Sequence, residues 1–350
     1  MNYVIEAKDW KLLIDSFKHP LNPDKIIAKP FPKLEIPFDN EIHEILCELD
    51  TIKSDVVHDA KIKGRKVKAG PQWGLADYKR MSDGTLELHL KPVTYYDALQ
   101  DWGVAQNPEL KKKVLEVSER KLGDTFALYG RVLAANTSIQ LLREGIQNSY
   151  LHEIENGKEL PNDCYGPYLV TFRGADQFDY WLAFHYVGGH PKKGDKAESE
   201  VVHDWHRVIA SQVAKEIGVG LKYILNPRLR GLAENKHTHK PDLLYEIRIN
   251  KTPSELFKLE DGTEREELLG LALMNDLDEF KNFVEKNQIK GKIYHPKDTS
   301  PVFRYVVKSV ISLKGGFDPT TSTNFCPVGE ANMALLLQSK GYDMTKIYAE

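Results

Sequence analysis

The stretch 188–220, GGHPKKGDKAESEVVHDWHRVIASQVAKEIGVG, limits the possible folds more than any other part of the chain. Two glycines and a His-Pro close a strand-like run. A charged loop follows, and an amphipathic helix then runs to a stop at Gly218. At about 100° per residue, Val201, Trp205, Val208 and Ile209 fall on one face, the mark of a helix packed on something apolar. Gln212 and Glu216 fall on that same face, near Trp205. A carboxylate inside an apolar stripe is seldom left unpaired in dry protein, so Glu216 is expected to meet a metal, a basic partner or a cleft. An ordinary salt bridge at the helix end accounts for the same spacing.

Such a unit needs a sheet to pack on. A chain of 350 residues, 41% hydrophobic and 28% charged, can build one inside a sizeable core. The net charge of −3 gives no electrostatic footprint for nucleic acid or an anionic membrane. No apolar run approaches the length of a membrane span. The opening residues, MNYVIEAKDWKLLIDSF, carry acids and lysines inside their apolar run, which does not fit a signal peptide. Cys47, Cys164 and Cys326 lie far apart and form no CxxC pair, so free thiols in a reducing, cytoplasmic compartment are expected.

Three segments are expected: an N-terminal arm over 1–40, an N-terminal α/β subdomain over 41–128, and a larger domain over 129–350. The arm holds Pro20, Pro23, Pro30, Pro32 and Pro37, which exclude a long helix and favour an extended chain. Such an arm either wraps the body or bridges to another subunit. Asn40 is placed as the cap of a helix carrying Ile42, Ile45, Leu46 and Leu49. In 56–70, Lys61, Lys63, Arg65, Lys66 and Lys68 alternate with apolar or small residues, as on an exposed strand. That face either meets phosphate or, the commoner case for such a run, is simply solvated. Residues 85–91 alternate with period two and predict a strand. Tyr95, Tyr96 and Trp102 then suit a core or a stacking surface for a base. A helix is expected over 109–128.

From 129 onward short strands alternate with turns: 138–142, 168–173 and 180–187, the last two joined by a hairpin turn at 174–177. Further strands are expected at 243–249 and 267–274. Thr252 and Glu255 form a capping box for a short helix. A helix after Asp276 carries Leu277, Phe280, Phe283 and Val284. Two more are expected over 303–313 and 328–340. The class is a mixed sheet with helices on its faces, α/β or α+β.

Several of these residues together resemble the Nudix superfamily. GGHP at 188–191 resembles that family's strand-end G-G-H-P-E, and SQVAKEIGV at 211–219 resembles its helix motif R-E-U-x-E-E-x-G-U, where U is a bulky aliphatic. The gap between the two halves is long. A long gap also marks the branch that resembles UDP-glucose pyrophosphohydrolases. The likeness to that branch extends beyond the box. ELHLKPVTYYDAL, YLVTFRG, LRGLAENKHTHKPDLLYEIRINKTPSEL and CPVGEANMALLL resemble its further segments, in order, from about residue 40 to about residue 340. The resemblance implies a Nudix fold with an N-terminal extension, a nucleotide or nucleotide-sugar ligand, and Mg²⁺-dependent cleavage of a diphosphate.

That chemistry needs carboxylates one helical turn apart, because Mg²⁺ must neutralise the diphosphate and sheds water reluctantly without anionic ligands. Carried over residue by residue, the resemblance keeps Glu216 as the last glutamate of the motif. Gln212 stands where the first glutamate is expected, Lys215 where a middle acid is expected, Ser211 in the place of the arginine, and Lys192 in the place of the acid after G-G-H-P. Gln212 can offer an amide oxygen but no charge, and Lys215 repels a cation. Glu200 and Asp204, four residues apart near the helix start, could rebuild a site with Glu198, although acids there also serve as helix-dipole partners. Lys192 and Lys215 could hold the diphosphate directly, which suits binding better than hydrolysis. The expected metal ligands are thus Glu216, Gln212 and Glu200, with Glu216 and Gln212 as the catalytic pair. Arg173, Gly188, Gly189, His190 and Lys215 are the expected substrate contacts. Hydrolysis is expected to be weakened or lost, and the alternative is a non-catalytic nucleotide-binding module or complex subunit. His237 and His239 form an HxH pair, more often a surface loop than a metal site.

Overall fold

The computed structural model describes residues 6–7, 9–15, 21, 25–32, 34–62, 71–173, 181–183, 185–188, 205–257, 268–274, 288–294, 302–307, 327–339 and 341. The arm contributes β1 (Trp10–Asp15) and β2 (Ile26–Pro30). Then come α1 (Asn40–Ile62), β3 (Pro71–Arg80), β4 (Leu86–Thr94), α2 (Tyr95–Ala105) and α3 (Pro108–Val117). The second part holds β5 (Ala134–Leu142), α4 (Leu151–Glu155), β6 (Tyr165–Arg173), β7 (Trp181–Ala183), β8 (His185–Gly188) and α5 (Trp205–Ile217). It continues with β9 (Ile224–Asn235), β10 (Pro241–Ile249), α6 (Pro253–Phe257), β11 (Leu268–Met274), β12 (Gln288–Tyr294), β13 (Val302–Val307) and α7 (Pro327–Ser339).

Among the described residues the strands form two sheets. The larger runs β1-β9-β10-β5-β6-β11-β12-β13, with β7 beside β6 and β8 beside β5, and the smaller runs β2-β4-β3. In the larger sheet β5 and β10 are parallel, while the other pairs are antiparallel. The protein is therefore a mixed α+β structure. Every residue of β5 and β10 is buried, as expected of strands covered on both faces. One face packs Leu243, Tyr245, Ile247 and Ile249 with Trp205, Ile209, Val213 and Ile217 of α5. On the other face lies α7, where the Asn332 amide donates to the backbone oxygen of Asn136 at 2.9 Å. Gly231 is needed there. A Cβ at that position would stand 2.7 Å from the Ile14 carbonyl oxygen of the edge strand β1.

The small sheet and its helices join the large sheet through backbone. Leu133 donates to the Trp73 oxygen at 2.8 Å and Leu75 to the Arg131 oxygen at 2.9 Å. Gly74 permits that approach, since a Cβ on it would fall 2.3 Å from the Gly130 oxygen. Leu86, Leu88 and Leu90 of β4 enter the same core as β5 and β10. The arm wraps the body, with β1 added to the large sheet against β9 and β2 to the small one against β4.

Expected elements are found at β4, β10 and β11, in the strands β5 and β6, and in the last helix α7. Thr252 and Glu255 form the expected capping box, the Thr252 N–H donating to Glu255 at 2.9 Å and the Glu255 N–H to Thr252 Oγ1 at 3.3 Å. Four expectations need correction. Residues 56–62 continue α1 rather than form an exposed strand. There Ile52 and Val56 lie close over Gly103 of α2, whose missing side chain lets the helices touch. The helix expected over 109–128 ends at Val117, turns through a wider π turn at Ser118–Leu122, and closes on Gly123 at φ 70°. Residues 302–307 are a strand paired with β12, where the β-branched run Val302, Val306 and Val307 suits a pleated surface better than a helix. Asp39, not Asn40, caps α1, its Oδ1 accepting from the Glu41 and Ile42 N–H groups at 3.0 and 3.2 Å. The turn at 174–177, the helix after Asp276 and the basic run beyond Ile62 lie outside the described residues. Cys47 and Cys164 are free thiols, and among the described residues no helix is long and apolar enough to cross a membrane.

Candidate functional site

The large sheet splits at one end. At the C-terminal half of β5 its neighbour is β6, Leu142 lying opposite Tyr165. At the N-terminal half β8 takes that place, with Gly188 opposite Ala134 and His185 opposite Thr137. There β6 runs on with β7, Arg173 opposite Trp181. The register thus brings Arg173 and Gly188, both expected site residues, to the same end of the sheet. For Arg173 and Gly188 the description covers the backbone; Gly189, His190, Lys192, Glu198, Glu200 and Asp204 lie outside the described residues.

Helix α5 packs against β8 and β9. It ends where its sequence says it should. Gly218 takes φ 80°, and the N–H groups of Gly218 and Val219 both reach the Ala214 oxygen at 2.9 Å. The buried side of α5 differs from the expected one. Its ridge is Trp205, Ile209, Val213 and Ile217, flanked by His206, Ala210 and Ala214, and all of these are buried. Val208 and Gln212 are only half-buried, and Ser211 is exposed. The helix is rolled toward His206 because two alanines let it sit close to the sheet and because His206 finds polar partners inside. Gln212 therefore stands at the rim of the apolar face rather than within it. Lys215 and Glu216 follow on the helical backbone, Glu216 one turn beyond Gln212, and their side chains lie outside the description.

A second polar centre lies where the small sheet meets the large one. Arg131, buried and at φ 46°, donates from Nη2 to Glu234 Oε2 at 2.7 Å. Its guanidinium carbon lies 4.3 Å from the centre of the Phe126 ring. Glu234 is 1% exposed; it also meets His239 Nδ1 at 3.1 Å and forms an ion pair with Lys11 at 3.3 Å. Burial pulls Glu234 upward, but the bonds and charges of His239, Arg131 and Lys11 outweigh it and hold the carboxyl below its usual range. Burial between Phe126 and Tyr129 lowers the pKa of His239, with the Glu234 bond opposing. Asp101 of α2, fully buried, accepts the Gly130 and Arg131 N–H groups at 2.9 and 2.7 Å. Burial pushes its carboxyl up to about 7, with those two bonds and Lys91 opposing. The sequence signals for this centre are slight: Asp101 among the polar residues of α2, and His239 of the HxH pair.

The HxH pair is not a joint ligand set. His237 turns outward to Asp9 of the arm at 2.6 Å, and His239 turns inward to Glu234. Among the described residues no group of three or more His, Cys, Asp or Glu is placed to hold a metal. The donors on α5 also fit Mg²⁺ poorly by their own chemistry. An amide, Gln212, stands at the half-open rim, and a lysine, Lys215, precedes the one glutamate of the motif. No protein-family model matches the chain, and no similar curated protein is found for it.

Proposed function

We propose that this chain is a Nudix-fold protein that binds a nucleoside-diphosphate sugar at the split end of the large sheet, with hydrolysis weakened or lost. The observation that carries the reading is the half-open position of Gln212 on a helix packed against the glycine-ended strand β8. A polar residue at that rim can meet a ligand without leaving the helix unpacked. The motif resemblance of 188–191 and 211–219 supplies the ligand class. Gln212 contributes an amide donor and acceptor, Lys215 a cation suited to a diphosphate, and Arg173 a guanidinium from the same end of the sheet. With Gln212 and Lys215 in the acid positions the site holds a dianion better than it holds Mg²⁺.

Two measurements on the purified protein test this reading. UDP-glucose should raise the melting temperature, since a ligand bound only by the native state stabilises it. Release of UMP in Mg²⁺ should be slow or absent, and Gln212→Glu combined with Lys215→Glu should increase it. A melting temperature unmoved by UDP-glucose and by other nucleotide sugars, with no UMP released, would sink the proposal. Rapid Mg²⁺-dependent release by the unaltered chain that is lost in Glu216→Gln would leave the ligand and overturn the weakened chemistry.

A further inference from the structure

His206 is 4% exposed and sits in the first turn of α5. Its Nε2 lies 3.3 Å from the carbonyl oxygen of Leu21, in the N-terminal arm. A carbonyl can only accept, so Nε2 carries the proton in this contact. Nδ1 faces the Tyr245 hydroxyl of β10 at 3.5 Å, and the two rings meet edge to face with centroids 5.2 Å apart. Leu21 is fixed from the other side: it is buried, and its N–H donates to the Leu229 oxygen of β9 at 3.0 Å. The arm continues into β2, whose Ile26 and Ala28 share the core that receives Trp205 and Ile209. One imidazole thus touches three separate pieces of chain: the arm, the helix and the central strand. A buried histidine is costly unless its nitrogens find partners, and an apolar residue would fill the same space without that cost.

We infer that His206 is a positioning residue that straps the arm at Leu21 to α5 and thereby fixes the helix carrying Gln212 and Glu216. The distance from 206 to 212 along the helix is about 9 Å at 1.5 Å per residue, so a tilt admitted at the first turn moves the rim directly. Its consequence for ligand binding rests on the reading of α5 given under Proposed function; the strap itself does not.

The test is amide hydrogen exchange over 209–217 in the full chain, for His206→Ala, His206→Gln and His206→Asn, beside UDP-glucose affinity. A glutamine amide nitrogen reproduces Nε2 and can still donate to Leu21, whereas an asparagine nitrogen stands where Nδ1 was. His206→Ala is expected to speed exchange in α5 about tenfold, with β5 and β10 unchanged, the size of effect that loss of one buried hydrogen bond gives locally. His206→Gln should return close to the unaltered rate and His206→Asn should not. UDP-glucose affinity should fall about tenfold in the Ala variant and recover in the Gln variant. Exchange in α5 that is unchanged in Ala, or raised equally across β5 and β10, overturns the strap. Should the Ala variant fail to fold, the Gln and Asn pair decides, because equal exchange in those two overturns the strap as well. If exchange follows the expected order while UDP-glucose binds none of the proteins, the strap stands and the ligand reading falls.

Discussion

The junction between the two sheets and the outer rim of α5 treat polar side chains in opposite ways. At the junction Arg131, Glu234 and Asp101 are withdrawn from water and each is matched by specific donors or acceptors. At the rim Gln212 is half-buried beside an exposed Ser211. A buried charge keeps its place only if its partners are nearly complete, since the desolvation cost is otherwise several kcal/mol. A half-open polar group has no such demand, and its hydrogen-bonding capacity is available to something outside the chain. The comparison gives the junction an architectural role and leaves the rim as the place that the proposed recognition would use, although the junction is much the richer in ionisable groups.

The largest expected effect tests the architectural side. Arg131→Ala removes the closest cation from Glu234 while that carboxylate stays 1% exposed. Alanine keeps a Cβ at this φ 46° position, so the backbone is no less strained in the variant. Breaking a buried pair on one side typically costs about 3–5 kcal/mol, and urea unfolding should show a loss of that order. A loss below about 1 kcal/mol would mean that Lys11 and His239 suffice for Glu234 and that the centre is less rigidly specified than its geometry suggests.

A smaller effect separates charge from hydrogen bonding at the same junction. Asp101 has a folded-state carboxyl raised to about 7 by burial. The unfolded value is about 3.9, so the native state holds the proton more tightly. Its contribution to stability is then fully present below about pH 4 and is lost as the pH rises through about 7. Asp101→Asn should flatten that part of the stability–pH curve. A curve with the same slope in both proteins would break the assignment of that titration to Asp101.

Legibility in the sequence followed the same division. Periodicity located β4, β10 and α7, and a glycine after an apolar run located the end of α5, because each depends on residues near in sequence. The strand at 302–307 reads as helix in the sequence, since a short apolar run fits either form until its partner, here β12, is known. The roll of α5 was also hidden. It depends on His206 meeting Leu21 and Tyr245, which are remote in sequence, and a helical wheel counts histidine as polar. The junction centre unites residues 101, 131, 234 and 239, and no local spacing announces such a group. The resemblance in 188–191 and 211–219 marked the helix at the rim but said nothing of how far into the core each position would turn.

The smallest effect on stability is expected at the rim, and there the comparison is sharpest. Gln212→Ala removes a half-buried amide from a helix whose buried ridge is carried by Trp205, Ile209, Val213 and Ile217. Alanine is a better helix former than glutamine by a few tenths of a kcal/mol, which offsets the small contact area lost. The unfolding free energy should thus change by no more than about 0.5 kcal/mol, as for other surface positions without a special role. If the rim recognises a ligand, the shift in melting temperature produced by UDP-glucose should shrink in the same variant. Small stability change with a large loss of ligand response is the signature of a group kept for recognition. The reverse, a loss of several kcal/mol with the ligand response intact, would place Gln212 with Arg131 and Asp101 among the groups that hold the fold together, and the division between the two regions would fail.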